Sequence, residues 1–376
     1  MKPIDLSKFP AFDNPNRILL GPGPSSADPR ILDVMSGALM GHLDPTFLEM
    51  MDRIQKLLRY TFETTNPLTL AVPGTGMAAM ETAVANLVEP GDSVLVCSNG
   101  YFSQRITEIA QRYGGKVVVL QKPWGEAFSA AEVQAAIDQV PAKIVGIVQA
   151  ETSTGVLQPI AEIADVVHRQ GSLLIVDSVT ALGGVAVQVD RAGIDVCYSC
   201  SQKCLGCPPG ASPITFSPRA EAKIAARKTP ISNWYLDINL LRRYWSSERL
   251  YHHTAPITLN YALYEGLRIV AEEGIETRFA RHKHNAELLW LGLEDLGLDL
   301  FVPTRLRLPT LTTVRIPPGV DDLAVRKRLL NEFNIEIGGG LGDLKGKIWR
   351  VGLMGYSSRP ETITLLLDAL KHILNG

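Results

Sequence analysis

The stretch 197-CYSCSQKCLGCPPG-210 holds four of the chain's five cysteines, Cys197, Cys200, Cys204 and Cys207, around a single lysine, Lys203. Two chemistries compete for it. Closely spaced thiolates suit zinc or an iron–sulfur cluster, whereas a lysine just past a strand suits a Schiff-base nucleophile. Here all four thiols fall within eleven residues, while structural zinc sites usually join two cysteine pairs roughly a dozen or more residues apart. Residues 194–199 also read as a buried strand, whose alternating faces would part Cys197 from Cys200. The cysteines therefore read as small apolar fillers. A metal- or cluster-binding electron-transfer subunit is the rival reading from another functional class. Lys203 reads as the working group.

Two further features join it. Asp177 closes the apolar run 172-SLLIVD-177, 26 residues before Lys203, and a carboxylate ending a buried strand needs a cation or hydrogen bonds. Upstream, 74-GTGMAA-79 fits G-x-G-x-x-A between a strand and a helix. The following strand ends in 96-VCSNG-100, with no acid to hold a ribose, so a dinucleotide is not supported. A glycine turn and helix start that bind one phosphate are. The Gly-rich 338-GGGLGDLKGKI-348 fails the Walker pattern, with Ile348 where Ser or Thr should reach magnesium. A phosphate turn, Asp177 and Lys203, in that order, meet the needs of pyridoxal 5'-phosphate. It requires an amine for a Schiff base, a partner for its ring nitrogen and an anion cradle.

The elements that must position these groups can be read from hydrophobic period. Strands are expected at 68–72, 93–97, 116–120, 143–149, 172–177, 194–199 and 213–217, with helices at 76–87, 102–113, 129–140 and 160–170. Such βα alternation with nearly continuous apolar strands means a mostly parallel sheet covered on both faces. Near residue 256 the rhythm changes to a long helical region over 256–297, followed by strands at 311–316 and 348–353 and helices at 321–333 and 360–374. The division expected is an arm over 1–20, a large α/β domain over 21–273 and a smaller α+β domain over 274–376.

Composition narrows the function. Hydrophobic residues are 46% and charged residues 20%, as in an ordinary globular enzyme. Lys and Arg number 37 against 39 Asp and Glu, so no net field draws nucleic acid or an anionic membrane. No apolar run approaches the roughly 18 residues of a span, and the first residues, MKPIDLSKFPAF, lack a secretory apolar core. With an odd number of cysteines, a cytoplasmic location with free thiols is expected.

At the level of whole motifs the sequence resembles the class V, fold type I pyridoxal-phosphate aminotransferases, within them the alanine–glyoxylate and serine–glyoxylate group. The runs that carry the resemblance are 18-ILLGPGP-24, 66-NPLTL-70, 89-EPGDS-93, 151-ETSTGVLQP-159, 176-VDSV-179, 201-SQK-203, 208-PPG-210, 228-KTP-230, 251-YHHT-254 and 336-EIGGGLG-342. The resemblance implies a seven-stranded sheet between helices and a role for each matching residue. Lys203 would carry the cofactor and move the substrate's Cα proton, and Asp177 would pair with the ring nitrogen. Thr75, Gly76 and Met77, helped by Gln202, would bind the phosphate; Thr152 would face the ring's phenolic oxygen, and Val179 and Phe102 would cover its faces. Phe102 stands where Trp is expected and Met77 where some members place His. Arg350 would grip the substrate carboxylate. Tyr251 and Thr254 would reach the phosphate of a neighbouring subunit, which implies a homodimer with shared active sites. The activity implied is ping-pong transfer of an amino group from alanine or serine to glyoxylate, between small amino acid and 2-oxo acid substrates. Within the fold, a serine–pyruvate aminotransferase, a kynureninase-like lyase and a cysteine desulfurase remain alternatives. The last needs a cysteine on a small-lobe loop, and none follows Cys207.

Overall fold

The computed structural model describes residues 4–375. Its frame is a seven-stranded sheet built from β1 (Leu68–Gly74), β2 (Ser93–Ser98), β3 (Lys116–Gln121), β4 (Ile144–Val148), β5 (Leu173–Asp177), β6 (Val196–Tyr198) and β7 (Gly210–Phe216). The spatial order is β1-β7-β6-β5-β4-β2-β3. Only β7 runs against its neighbours; the pairs β2–β3, β2–β4, β4–β5 and β5–β6 are parallel. Every residue of β4 and β5 is buried, as a strand covered on both faces requires. The edge strand β3 departs from the expected burial, with Val118 and Val119 exposed. Its terminal Lys116 and Gln121 are the polar ends by which an edge discourages further pairing.

Because the strands other than β7 are parallel, their carboxyl ends share one rim of the sheet, where open α/β sheets hold ligands. Gly74, Ser98, Val148, Asp177 and Tyr198 end there. The antiparallel β7 starts there, with Gly210 opposite Gly74.

Three helices lie outside those expected, at Pro29–Met35, Pro45–Phe62 and Pro218–Ala225. Each has proline in its first turn and a side chain capping its start: Asp28, Asp44 and Ser217 accept backbone N–H bonds there. A fourth unexpected helix, Ile238–Trp245, is capped by Asp237. The long helical region is two helices, Ile257–Glu273 and Ile275–Asp295, broken at Gly274 with φ +80°.

The buried apolar residues form two clusters. The larger surrounds the seven-stranded sheet. The smaller joins Leu289 and Leu293 to Val314, Leu329, Trp349, Leu366 and Leu370, around a three-stranded sheet in which Ile348–Gly352 is central. Leu20, from the end of the expected arm, is buried in the smaller cluster. The residues before it, Ile18 and Leu19, pair in parallel with Ile335 and Glu336. Both cores rest on close packing, so a truncation in the central strands leaves a void. Leu70→Ala in β1, a fully buried site, should cost about 2–5 kcal/mol, read as a fall in the urea midpoint with an unchanged slope.

Candidate active site

Lys203 sits in the turn between β6 and β7, and neighbouring segments fasten that turn. Ser25 donates its N–H to the Gln202 carbonyl at 3.0 Å and its Oγ to the Lys203 carbonyl at 2.8 Å. Arg278 Nη2 donates to the Cys204 carbonyl at 2.6 Å. The Gly206 N–H closes onto the Lys203 carbonyl at 3.0 Å. The lysine is only 9% exposed, and burial pushes its amine below the ordinary lysine range. Nζ donates to the Pro22 carbonyl. That carbonyl belongs to the Gly-Pro-Gly-Pro loop, whose Gly23 adopts φ +107° and lies so close to Lys203 that any Cβ there would strike the lysine side chain.

Asp177 ends β5, one strand away. Its Oδ1 accepts the Val179 N–H at 2.9 Å and its Oδ2 the Tyr198 hydroxyl at 3.0 Å. Burial raises its carboxyl to about 7, and the buried Glu151 carboxylate adds to the rise. The two donors and the charge of Lys203 oppose it. A carboxylate set here is poised to gain from a cation or a protonated ring nitrogen.

At the end of β1, Thr75 caps the helix Gly76–Leu87 without a side-chain capping bond. The first N–H groups of such a helix have no partner within it and form an anion cradle. In the turn that carries Lys203, Gln202 Oε1 is buried without a hydrogen-bond partner. An orphaned buried amide is rare in a finished interior and marks a place for a polar ligand. Met77 is exposed and Gly76 buried, so this position offers its backbone rather than an imidazole.

Phe102, half-buried in the second position of the helix Tyr101–Arg112, is held from behind. Glu151 Oε1 accepts the Phe102 N–H at 3.4 Å and Oε2 the Ser103 N–H at 3.4 Å. The Thr152 hydroxyl lies 2.5 Å from that of Thr180, so it is already engaged within the chain. Arg350 is buried on the central strand of the smaller sheet. Its Nε donates to the Gly339 carbonyl at 2.7 Å and its Nη1 to the Thr152 carbonyl at 3.3 Å. Burial lowers its guanidinium to about 10, and both bonds go to neutral carbonyls, leaving the charge unmatched. Tyr251, 61% exposed, lies with its hydroxyl 3.5 Å from Thr254 Oγ1 and its ring against His42. Its contacts and those of Thr254 do not join the cluster within one chain.

Sequence reasoning passed over Glu151 and Tyr198. Glu151 opens the quoted 151-ETSTG run, where only Thr152 was singled out. Tyr198 is the register neighbour of Asp177 on β6, a relation visible only once the strand order is known.

The cysteines scatter. Cys197 Sγ donates to Ser178 Oγ at 3.2 Å, Cys204 Sγ to the Thr180 carbonyl at 3.5 Å and Cys207 Sγ to the Ala262 carbonyl at 3.3 Å. The Cβ of Cys200 lies 3.4 Å from where a Cβ on Gly76 would stand. Among the described residues no group of three or more His, Cys, Asp or Glu side chains is arranged around a metal-sized site.

The family model described as aminotransferase class-V matches residues 32–348. Alanine–glyoxylate aminotransferase of Mus musculus is 42% identical over 364 residues, covering 96% of this chain and 88% of that protein. The chain belongs to the class-V aminotransferases. The (S)-ureidoglycine–glyoxylate transaminase of Bacillus subtilis is 41% identical over 378 residues, with 96% and 91% covered. The crystal structure of alanine–glyoxylate aminotransferase from Nostoc sp. superposes with TM-score 0.97 at 54% identity, spanning 99% of this chain and 100% of that one. The enzyme thus has the fold type I architecture. A cysteine desulfurase from Thermococcus onnurineus shares that fold at 13% identity and TM-score 0.75, a likeness of fold alone. The family implies pyridoxal 5'-phosphate, and the free helix start, the buried amine and the buried carboxyl fit it. No helix among the described residues is long and apolar enough to cross a membrane.

All five thiols are buried, and burial pushes each up to about 12. A water-soluble disulfide reagent should therefore label none of them in the native enzyme and five after denaturation. Fast labelling of any thiol in the native protein would contradict this packing.

Proposed function

We propose that the enzyme transfers the amino group of a small amino acid, alanine or serine, to glyoxylate in two half-reactions of a ping-pong cycle. The observation that carries the reading is Lys203, an amine buried without a hydrogen-bonded acidic partner, one strand from the buried carboxyl of Asp177. When bound, the cofactor supplies an electron-poor ring that takes up the electron pair left when the donor's Cα–H bond breaks.

The remaining work falls to the chain. Thr75, Gly76 and Met77 would hold the phosphate through backbone N–H groups, and Gln202 would help by donating from its side-chain Nε2. Asp177, as an anion, keeps the proton on the ring nitrogen. Lys203 would hold the cofactor through Nζ and would carry the proton taken from the substrate's Cα. Phe102 and Val179 cover the ring, and Thr152 lies toward its phenolic side. Arg350 fixes the substrate carboxylate, which matches a planar guanidinium bidentately and so sets the direction of the Cα–H bond. Tyr251 and Thr254, exposed on one protomer, serve the phosphate of a second in a homodimer. The enzyme is read as cytoplasmic.

The space for a side chain is small. A Cβ on Gly338 would lie 2.5 Å from Pro22 Cδ and 3.6 Å from Arg350 Nη2, so the loop carrying Pro22 presses against the Gly-rich turn beside the arginine. That favours alanine and serine. The likeness to the Bacillus subtilis enzyme makes (S)-ureidoglycine the competing donor.

Steady-state assays with alanine, serine and ureidoglycine, each against glyoxylate and pyruvate, decide the donor. Alanine or serine with glyoxylate should give the highest kcat/KM, and preference for ureidoglycine would replace the reading of the donor. Lys203→Ala should fold, bind cofactor only reversibly and lose turnover, together with the yellow band that borohydride bleaches in the parent. Normal turnover by this variant would refute the assignment of the base. Arg350→Lys should raise KM for the amino donor on the order of 10-fold or more through loss of the bidentate grip.

A further inference from the structure

Among the buried groups left without a task, Tyr198 stands out by its place in the sheet. It is the last residue of β6, register neighbour of Asp177 at the end of β5. Neighbours in register on parallel strands project to the same face, so the two side chains emerge together at the rim where the cofactor would sit. The ring of Tyr198 is fully buried, and its hydroxyl donates to Asp177 Oδ2 at 3.0 Å. The other carboxylate oxygen is fixed by the Val179 N–H at 2.9 Å. Two donors, one on each oxygen, set the plane of the carboxylate as well as its charge.

We propose that Tyr198 is a positioning residue for this transamination: its phenol orients the Asp177 carboxylate and holds it anionic, so that Asp177 can keep a proton on the cofactor's ring nitrogen. This rests on the reading of Asp177 as that nitrogen's partner. The argument is electrostatic. Hydrogen bonds to a carboxylate favour its charged form, whereas burial favours the neutral acid. Burial dominates at Asp177 and lifts it to about 7, so each donor counts. A neutral acid could still accept a hydrogen bond from the ring, but it could not hold the nitrogen protonated. The other titratable groups around the carboxylate are Glu151, whose charge disfavours the anion, Lys203, whose charge favours it, and the buried thiols of Cys197 and Cys200. None of these donates a hydrogen bond to Asp177. The phenol itself is pushed well above its ordinary range by burial and by the Asp177 charge, so it remains a donor at every working pH. Full burial keeps Tyr198 from touching substrate, which separates its part from that of Lys203.

The test removes only the hydroxyl. Tyr198→Phe holoenzyme should keep the KM of the amino donor while kcat falls on the order of 10-fold or more, as for loss of one charge-assisted hydrogen bond. The acid limb of the kcat profile should move to higher pH, because a carboxylate deprived of a donor protonates more readily. A readout without turnover is the dissociation constant of pyridoxal 5'-phosphate, which should rise by a similar factor. Asp177→Asn is the reference variant and should lose cofactor affinity and kcat more severely. Should Tyr198→Phe fold poorly, a fluorinated tyrosine at position 198 keeps the shape and donates more strongly; its acid limb should move to lower pH. An unmoved limb and parental cofactor affinity in the variant that folds, beside a crippled Asp177→Asn, would overturn the role of Tyr198 and leave the reading of Asp177 standing. Parental affinity and kcat in Asp177→Asn would overturn that reading itself.

Discussion

Burial of an amine and a carboxyl a strand apart, with no hydrogen bond between them, is the constraint on which the rest of the structure turns. Both groups lose hydration, and both answer by shifting toward their neutral forms: Lys203 down, Asp177 up. A chain selected for stability alone would pair them or replace them with apolar residues. Here the neighbours satisfy each group only in part. Lys203 has a neutral carbonyl, and Asp177 has two neutral donors. The unspent electrostatics are available to a ligand carrying an aldehyde at one end and a basic ring nitrogen at the other. The helix start after β1, whose first N–H groups lack partners within the helix, repeats the pattern for an anion.

The topology explains how one ligand can meet all three. Parallel strands deliver their carboxyl ends to one rim, and the reversed β7 brings the Pro-Pro-Gly turn back to it. The free helix start follows β1 and the Asp177 carboxyl ends β5, while the Lys203 amine lies just beyond β6. In space β7 and β6 lie between β1 and β5. Glu151, fully buried after β4, ties the rim to the helix that carries Phe102. Strand spacing sets the position of Asp177, and the turn that carries Lys203 is pinned to the frame by Ser25 and Arg278.

The sheet was readable because its strands are apolar along their whole length and bounded by Gly, Pro and Asn, which leaves periodicity little room for error. The helices missed at Pro29–Met35, Pro45–Phe62 and Pro218–Ala225 carried a different signal. Asp28-Pro29, Asp44-Pro45 and Ser217-Pro218 are start marks, a capping side chain followed by a first-turn proline. At the site, Asp177 and Lys203 were legible because each ends or follows a buried strand. Tyr198 and Glu151 were not, since their part depends on which strands are neighbours, and sequence order β5-β6 says nothing of side-chain register. The contacts of Tyr251 and Thr254 stay on the surface of one protomer, so their assigned role came from resemblance alone.

The last link lies between the two cores. Arg350 belongs to the smaller sheet, yet its Nη1 bonds the Thr152 carbonyl at the rim of the larger one. The chain enters this junction twice more. Pro22 supplies the carbonyl that holds Lys203, and the preceding Leu20 lies in the smaller core. The same short segment therefore touches the amine and packs with the lobe that carries the guanidinium. A substrate carboxylate bound by Arg350 would draw on a charge that the protein leaves facing neutral carbonyls, and would do so beside glycines with no space for added atoms. On the proposed reading, small size and a carboxylate would both be demanded at one junction, and the segment that enforces the first also touches Lys203.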